Sequence, residues 1–298
     1  MEIKEVFKIY SQKLKKTSLK TVDLDLAIIL TLVLKKPKEF LYTYPEKKLT
    51  KPQIKKLEIL IKKRLHGKPL AYLRNLKEFY GLEFYVDKRV LIPRPDTELL
   101  AETVLLEIRE PACRQAGKKS EVRNQKVVIA DIGTGSGCVA IALAKNSNQA
   151  KILAADISKS AILVAKKNAK KHRVKINFFQ GDLLQPVIDK KIDIIVANLP
   201  YGWPQWEKST PQTNSLKFEP KLALFTKEKG LFLYQKLFGQ IAKKSNQPKI
   251  VAIEFDPRQT KALLKLTKKI LPNYRADIKK DLAGKNRVLI LKSSDYCA

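Results

Sequence analysis

Acidic residues, histidine and cysteine are all scarce in this sequence, and each scarcity removes a class of chemistry. There are three cysteines, Cys113, Cys138 and Cys297, widely spaced and without a C-x-x-C pair. That pattern supports neither a disulfide framework nor a zinc site, and a reducing, cytoplasmic setting is expected. The two histidines, His66 and His172, stand at a domain junction and in a Lys-rich helix-to-strand turn, where they read as structural or solvated. No Ser/His/Asp set and no metal-ligand cluster can be assembled by spacing, so no metal is expected. Long apolar runs are also missing. Leu24 to Leu34 spans only eleven residues and contains Asp25, too short to cross a bilayer, and reads as a buried helix. The first twenty residues hold no apolar core of a signal peptide. No membrane association is expected.

Acidic residues number 29 against 60 Lys and Arg, a net charge of +31. Such a field draws a protein toward polyanions, and contact with RNA or the ribosome through a basic surface is one reading. The lysines are scattered rather than gathered in one block, so a Lys-rich source proteome explains them equally well. A monomer is expected.

Residues 1–76 show helical periodicity interrupted at Lys36-Pro37 and Tyr44-Pro45. Thr50 before Lys51-Pro52 has the form of an N-cap with proline in the first turn. The helix that follows carries Ile54, Leu57, Ile61 and Leu65 on one stripe. This part is predicted to be a small helical bundle. Residues 77–93 are predicted to form a linking β-hairpin, alternating from Phe79 to Ile92 and turning near Asp87-Lys88. After the break at Pro93-Arg94-Pro95, Asp96 is placed to cap a helix starting at Thr97. Glu110 to Gln125 is polar and predicted to be an exposed loop.

From Lys126 strands and helices alternate. Val127–Ala130, Lys151–Ala155, Lys175–Phe179, Ile192–Ala197, Ile250–Phe255 and Arg287–Leu291 are strand candidates, with helical patterns between most of them. The alternation predicts a doubly wound α/β domain over 94–298 with a mainly parallel sheet.

Three signals of ligand-type residues fall at strand ends, the edge where open α/β sheets bind ligands. The first is Asp131-Ile132-Gly133-Thr134-Gly135-Ser136-Gly137, between a buried strand and the apolar helix Cys138 to Ala144. Its glycines allow a tight turn and close approach of a ligand to the main chain. A dinucleotide fingerprint would need a further glycine where Cys138 stands, so the loop suits a ligand without a pyrophosphate. The second is Asp156, 19 residues after Gly137, placed to accept both ribose hydroxyls of an adenosine. Asp182, ending the next strand, is placed for an adenine amino group. Helix capping or a solvated loop is the plainer reading of each acid.

The third is Asn198-Leu199-Pro200-Tyr201. An amide or exocyclic amine nitrogen is a poor nucleophile because its lone pair is delocalised. The Asn198 side-chain oxygen and the Leu199 main-chain oxygen can hold its two N–H groups and aim that lone pair at a sulfonium methyl. Pro200 fixes the backbone, and Tyr201 offers a flat face to a planar group. Displacement then rests on orientation and desolvation and needs no strong base.

These motifs, with Gly67 to Leu73, Lys77-Glu78-Phe79-Tyr80, Leu91 to Glu98 and Phe218-Glu219-Pro220-Lys221-Leu222-Ala223-Leu224, resemble the HemK-type glutamine methyltransferases of peptide-chain release factors. The resemblance runs over nearly the whole chain, and Pro-Arg-Pro-Asp-Thr-Glu is its most specific part. It implies a seven-stranded methyltransferase sheet, with S-adenosylmethionine as cofactor and S-adenosylhomocysteine as product. It implies cofactor contacts from Gly133, Thr134, Gly135, Ser136, Gly137, Asp156, Asp182, Leu183 and Asn198. Substrate contacts fall to Asn198, Leu199, Pro200 and Tyr201, with Asn198, Pro200 and Tyr201 as the catalytic set. The substrate implied is the glutamine of a release factor's Gly-Gly-Gln loop, held by the helical domain and hairpin.

Three positions depart from the family pattern. Leu199 replaces a proline, Asn75 stands where glycine is usual, and Leu183 aligns with a frequent tryptophan. Asn-Leu-Pro-Tyr also occurs in the adenine dimethylases of ribosomal RNA. An RNA or DNA adenine N6-methyltransferase is therefore the alternative, and a non-catalytic binding protein that kept the fold is a third reading.

Overall fold

A computed structural model describes residues 1–15, 21–109, 126–205 and 213–296. The expected loop at Glu110 to Gln125, with Cys113 and Cys297, lies outside the described residues. Two compact units are present: Met1–Leu76 with Asn214–Phe218, and Lys77–Thr213 with Glu219–Ala298.

The first unit is helical. Helix α1 (Ile3–Lys15) buries Ile3, Val6, Tyr10 and Leu14, one stripe at three- and four-residue steps. Helix α2 (Val22–Leu34) buries most of its length, as its apolar run predicts. The polar break in that run, Asp25, is 3% exposed and paired with Arg64 at 2.7 Å. Helix α3 spans Lys38–Thr43, and α4 (Lys51–Leu65) starts on Thr50 in a complete capping box with Gln53. Its stripe ends earlier than the spacing suggests: Leu57 and Ile61 are buried, but Leu65 is 37% exposed. Helix α5 (Leu70–Arg74) closes the unit's main run.

The second unit opens with a two-stranded hairpin, β1 (Lys77–Phe79) against β2 (Leu82–Phe84). The turn is at Tyr80-Gly81, with φ of 52° and 69°, and not near Asp87-Lys88 as the sequence suggested. Two consecutive positive φ values are what a two-residue hairpin turn needs, and Gly81 supplies one without strain. Beyond β2 the β-branched residues do not continue the hairpin's strands. Val86, Val90 and Ile92 are buried as packing, and Asp87 forms a local turn. The Asp87 carboxylate takes hydrogen bonds from Arg89 and the Tyr85 hydroxyl, which hold its pKa down to about 2 against the effect of burial.

Helix α6 (Thr97–Arg109) leads to the main sheet: β3 (Val127–Ile132), β4 (Ala150–Asp156), β5 (Ile176–Gln180), β6 (Ile194–Ala197), β7 (Ile250–Glu254), β8 (Tyr274–Lys280) and β9 (Asn286–Ser293). Their order is β5-β4-β3-β6-β7-β9-β8, parallel from β5 to β7, with β9 antiparallel to both β7 and β8. Helices α7 (Cys138–Asn146), α8 (Lys159–Lys171), α9 (Phe232–Ala242) and α10 (Thr260–Ile270) complete the wrapping. The central strands read as unbroken apolar runs because both faces are covered. Ile129, Ile194 and Ala252 pack with Leu100, Val104 and Ile141 on one face. Ala130, Ile195 and Ile253 pack with Tyr234, Phe238 and Leu263 on the other. This is a class I methyltransferase fold. Strand β8 escaped the sequence reading because it is an edge strand with a mostly exposed, Lys-rich face.

Candidate functional site

The carboxyl ends of β3, β4 and β6 meet around a cavity of about 190 Å³. Its wall includes Gly133 to Ser136, Asp156, Asp182, Leu183 and Asn198 to Pro200. All three glycines of the loop after β3 have positive φ. A Cβ on Gly133, whose φ is 76°, would lie 3.0 Å from the Leu199 side chain, so the loop needs glycine both for its turn and for that contact. Thr134 and Ser136 are buried, and the Thr134 hydroxyl donates to Asp131 at 2.7 Å. Burial pushes Asp131 up to about 7, opposed by that hydroxyl and by the Ala140 N–H.

Asp156 closes the loop from the next strand. Its two oxygens accept the backbone N–H of Gly135 at 2.9 Å and of Ser158 at 2.8 Å. Burial raises its pKa, and the two N–H groups oppose the rise. An ionised carboxylate has about four lone-pair sites, so two more acceptors remain for a diol. Asp182 pairs with Lys236 through one oxygen. Leu183 adopts a left-handed conformation, φ 53°, and is 8% exposed on the cavity wall.

At the end of β6 the Asn198 side-chain nitrogen donates to the Thr97 hydroxyl at 2.9 Å. That bond fixes the amide so that its oxygen is the end available as an acceptor. Leu199 is 2% exposed against Gly133. Tyr201 is half-buried and is not on the cavity wall. Its hydroxyl donates to Glu254 at 3.2 Å. Burial first, and then the Glu254 charge, raise the Tyr201 pKa well above its ordinary value.

The rim is built by two of the motifs together. Glu219 is buried and bonds the Arg94 guanidinium at 2.6 Å and the Ile92 N–H at 2.9 Å. Phe218-Glu219-Pro220 thereby fastens Pro93-Arg94-Pro95, and Pro93, Arg94, Pro220, Leu222 and Ala223 all line the cavity. Sequence reasoning missed three further residues. Asn168, fully buried, donates to the carbonyls of Ser136 and Tyr85 and accepts from the Tyr85 N–H, joining the glycine loop to the segment after the hairpin. It sits in a Lys-rich helix and gave no signal. Thr97 was read as a helix start and as part of the Pro-Arg-Pro-Asp-Thr-Glu segment, without a role in the site. Glu254 did leave a trace, as the lone carboxylate in the apolar run Ile250 to Phe255.

The histidines lie elsewhere. His66 contacts the Lys62 carbonyl at 2.7 Å and His172 the Glu83 carbonyl at 2.8 Å. No group of His, Cys, Asp and Glu suited to a metal occurs among the described residues. Among them, too, no helix is long and apolar enough to cross a membrane.

Two family models match the chain: the methyltransferase small domain over residues 119–212, and the PrmC N-terminal domain over residues 5–74. A release factor glutamine methyltransferase of Coxiella burnetii is 40% identical over 78% of this chain and 77% of that protein. One of Dictyoglomus turgidum is 34% identical over 96% of this chain and 97% of that protein. The chain belongs to the release factor glutamine methyltransferase family. A bifunctional methyltransferase of Rickettsia felis is 35% identical over 97% of this chain, which spans only 57% of that relative's length. Among solved structures, the N-terminal domain of human METTL16 in complex with SAH aligns with 89% of this chain and 94% of that chain, with a TM-score of 0.51 and 14% identity. At that identity the likeness shows the fold alone.

Two departures from the family pattern have local reasons. Asn75 ends α5 in the left-handed conformation, φ 53°, which glycine adopts freely and asparagine tolerates best among other residues. Leu199 forgoes the rigidity of a second proline, but its buried side chain packs onto Gly133 and ties the two loops together.

Proposed function

We propose that this chain transfers a methyl group from S-adenosylmethionine to the side-chain nitrogen of the glutamine in the Gly-Gly-Gln loop of a release factor. The observation that carries the reading is the fixed amide of Asn198: its nitrogen is bonded to Thr97, so an acceptor oxygen faces the reacting group. Family membership supplies the substrate class.

The residues present fit the cofactor. The Gly133 to Ser136 backbone leaves room for close approach, Asp156 keeps acceptors for the ribose hydroxyls, and Asp182 and Leu183 flank the place for adenine. When bound, S-adenosylmethionine supplies an electrophilic methyl on a sulfonium and departs as S-adenosylhomocysteine. Asn198 Oδ1 and the Leu199 carbonyl accept the two N–H groups of the glutamine amide and free its lone pair from conjugation. Pro200 limits the backbone at that point, and the largely apolar wall excludes water. The amide proton leaves after transfer, which accords with the absence of a histidine from the cavity wall.

The helical unit and the hairpin are the candidate docking elements for the release factor, and the protein acts as a monomer in the cytoplasm. The test offers labelled S-adenosylmethionine with a release factor from the same source and, separately, total RNA. Label on the Gly-Gly-Gln glutamine, lost when that glutamine is replaced, supports the reading. Label on RNA alone overturns it in favour of an adenine methyltransferase.

A further inference from the structure

Beneath the Asn198 to Tyr201 loop lies a carboxylate that the chemistry above does not use. Glu254, the last residue of β7, is 0% exposed. Its Oε1 accepts from the Tyr201 hydroxyl at 3.2 Å, and its Oε2 is buried without a partner at full bonding geometry among the described residues. The Thr97 hydroxyl is near enough to the same carboxylate to favour its charged form, although no hydrogen bond of full geometry joins the two. Thr97 is also the acceptor for the Asn198 nitrogen at 2.9 Å. The four side chains therefore form one network, with Glu254 at the bottom and the Asn198 amide at the top.

A threonine hydroxyl has one proton to donate. When Glu254 is ionised it can only accept, so Thr97 directs its proton downward and presents lone pairs to Asn198. Asn198 must then donate its nitrogen to Thr97, and its oxygen is the end left toward the substrate. If Glu254 carried a proton, or were an amide, it could donate to Thr97. The hydroxyl could then reverse, Asn198 could flip, and an NH2 group would face the N–H group that its oxygen should accept from.

We propose that Glu254 is a positioning residue: its carboxylate, acting through Thr97, fixes which end of the Asn198 amide meets the acceptor nitrogen, and it anchors Tyr201 from below. The inference rests on the proposed reaction only in needing an acceptor that offers N–H groups. Burial pushes the Glu254 carboxyl up to about 7, so the carboxylate form that directs Thr97 is gained through neutral pH. Arg287 on β9 and the Thr97 and Tyr201 hydroxyls favour the charge, and Asp96 opposes it. Tyr234 on α9 donates to the Glu254 main-chain carbonyl at 2.6 Å rather than to the carboxylate. Burial first, then the Asp131 charge and last that of Glu254, push the Cys138 thiol on α7 up to about 12.

The test compares the parent with Glu254→Gln and Thr97→Val, reading cofactor affinity, turnover and its pH profile, and the side-chain amide NMR signal of Asn198. Glu254→Gln keeps the size of the group but adds a donor. It should lower kcat about 100-fold with cofactor affinity within about threefold, a split that a general loss of structure would not give. The parent's Asn198 amide signal and kcat should change together through one ionisation near neutral pH, absent in Glu254→Gln. Thr97→Val, which removes the hydroxyl and keeps the shape, should lower kcat to a similar degree, whereas Thr97→Ser should recover most of it. A kcat for Glu254→Gln within about threefold of the parent, or an ionisation of the Asn198 signal that persists in it, overturns the proposal. If Glu254→Gln does not fold, Thr97→Val decides by the same criteria. If the parent methylates RNA and not glutamine, the substrate reading fails and the same comparison runs on that acceptor. The amide signal reads the relay even without turnover.

Discussion

Because the Asn198 nitrogen is bonded to Thr97 while Asp156 binds the glycine loop, the two residues should fail in different ways. On the proposed reaction, Asn198→Ala would remove an acceptor from the reacting nitrogen without touching the bonds of the glycine loop. Turnover should fall about 10²–10³-fold while the cofactor dissociation constant, read by calorimetry, stays within about threefold. Equal losses in both would remove the orienting role. Asp156→Ala acts first on the cofactor side, since it deletes the diol acceptor and also frees the Gly135 and Ser158 N–H groups. Its cofactor dissociation constant should rise at least about tenfold, a loss of about 1.4 kcal/mol or more. An unchanged constant would remove Asp156 from the ribose.

Between elements, the contact that holds the rim together is the buried pair of Arg94 and Glu219, with side-chain exposures of 21% and 0%. Arg94→Ala leaves the Glu219 charge buried with only the Ile92 N–H for company. Removing one partner of such a pair costs about 3–5 kcal/mol. Denaturant unfolding should therefore show a loss of about 3 kcal/mol in the α/β unit, with cofactor binding weakened as the wall loosens. A loss below about 1 kcal/mol would mean that the pair is solvated in solution. The hairpin shows how an element can be right in kind and wrong in place. Its aromatic and β-branched residues do signal strands, but only six residues pair across the turn at Tyr80-Gly81, and the remainder are drawn into packing.

For the whole molecule, two buried carboxyls set an uncommon pH dependence. Asp131 and Glu254 are each raised to about 7 by burial, from ordinary values of 3.8 and 4.5. Between roughly pH 4 and 7 the native state keeps protons that the unfolded chain has released, so stability falls as pH rises through that window and levels off above it. Each group contributes of order 3 kcal/mol to the change. Asp87, lowered to about 2, acts in the opposite sense but only at more acid pH. The melting temperature without cofactor should therefore drop between about pH 5 and pH 8, and Glu254→Gln should remove about half of that drop. A melting temperature that rises across this range would contradict the burial of both ionised groups.

What the sequence determined by itself was the part written in local chemistry. Apolar runs without polar breaks marked strands covered on both faces, Thr50 and Gln53 wrote their own helix cap, and glycines at Gly133, Gly135 and Gly137 marked a turn with positive φ. The order of these signals was enough for the fold, and Asn198 and Asp156 were legible because each directly follows or ends a strand. The tertiary structure alone decided how those residues are held. Thr97, Asn168, Glu219 and Glu254 come from positions 32 to 127 residues distant from partners they bond. None carries a local pattern that says which backbone or side chain it will meet. A hydrogen bond across such a separation depends on the sheet bringing distant strand ends together, and that is a property of packing rather than of spacing along the chain.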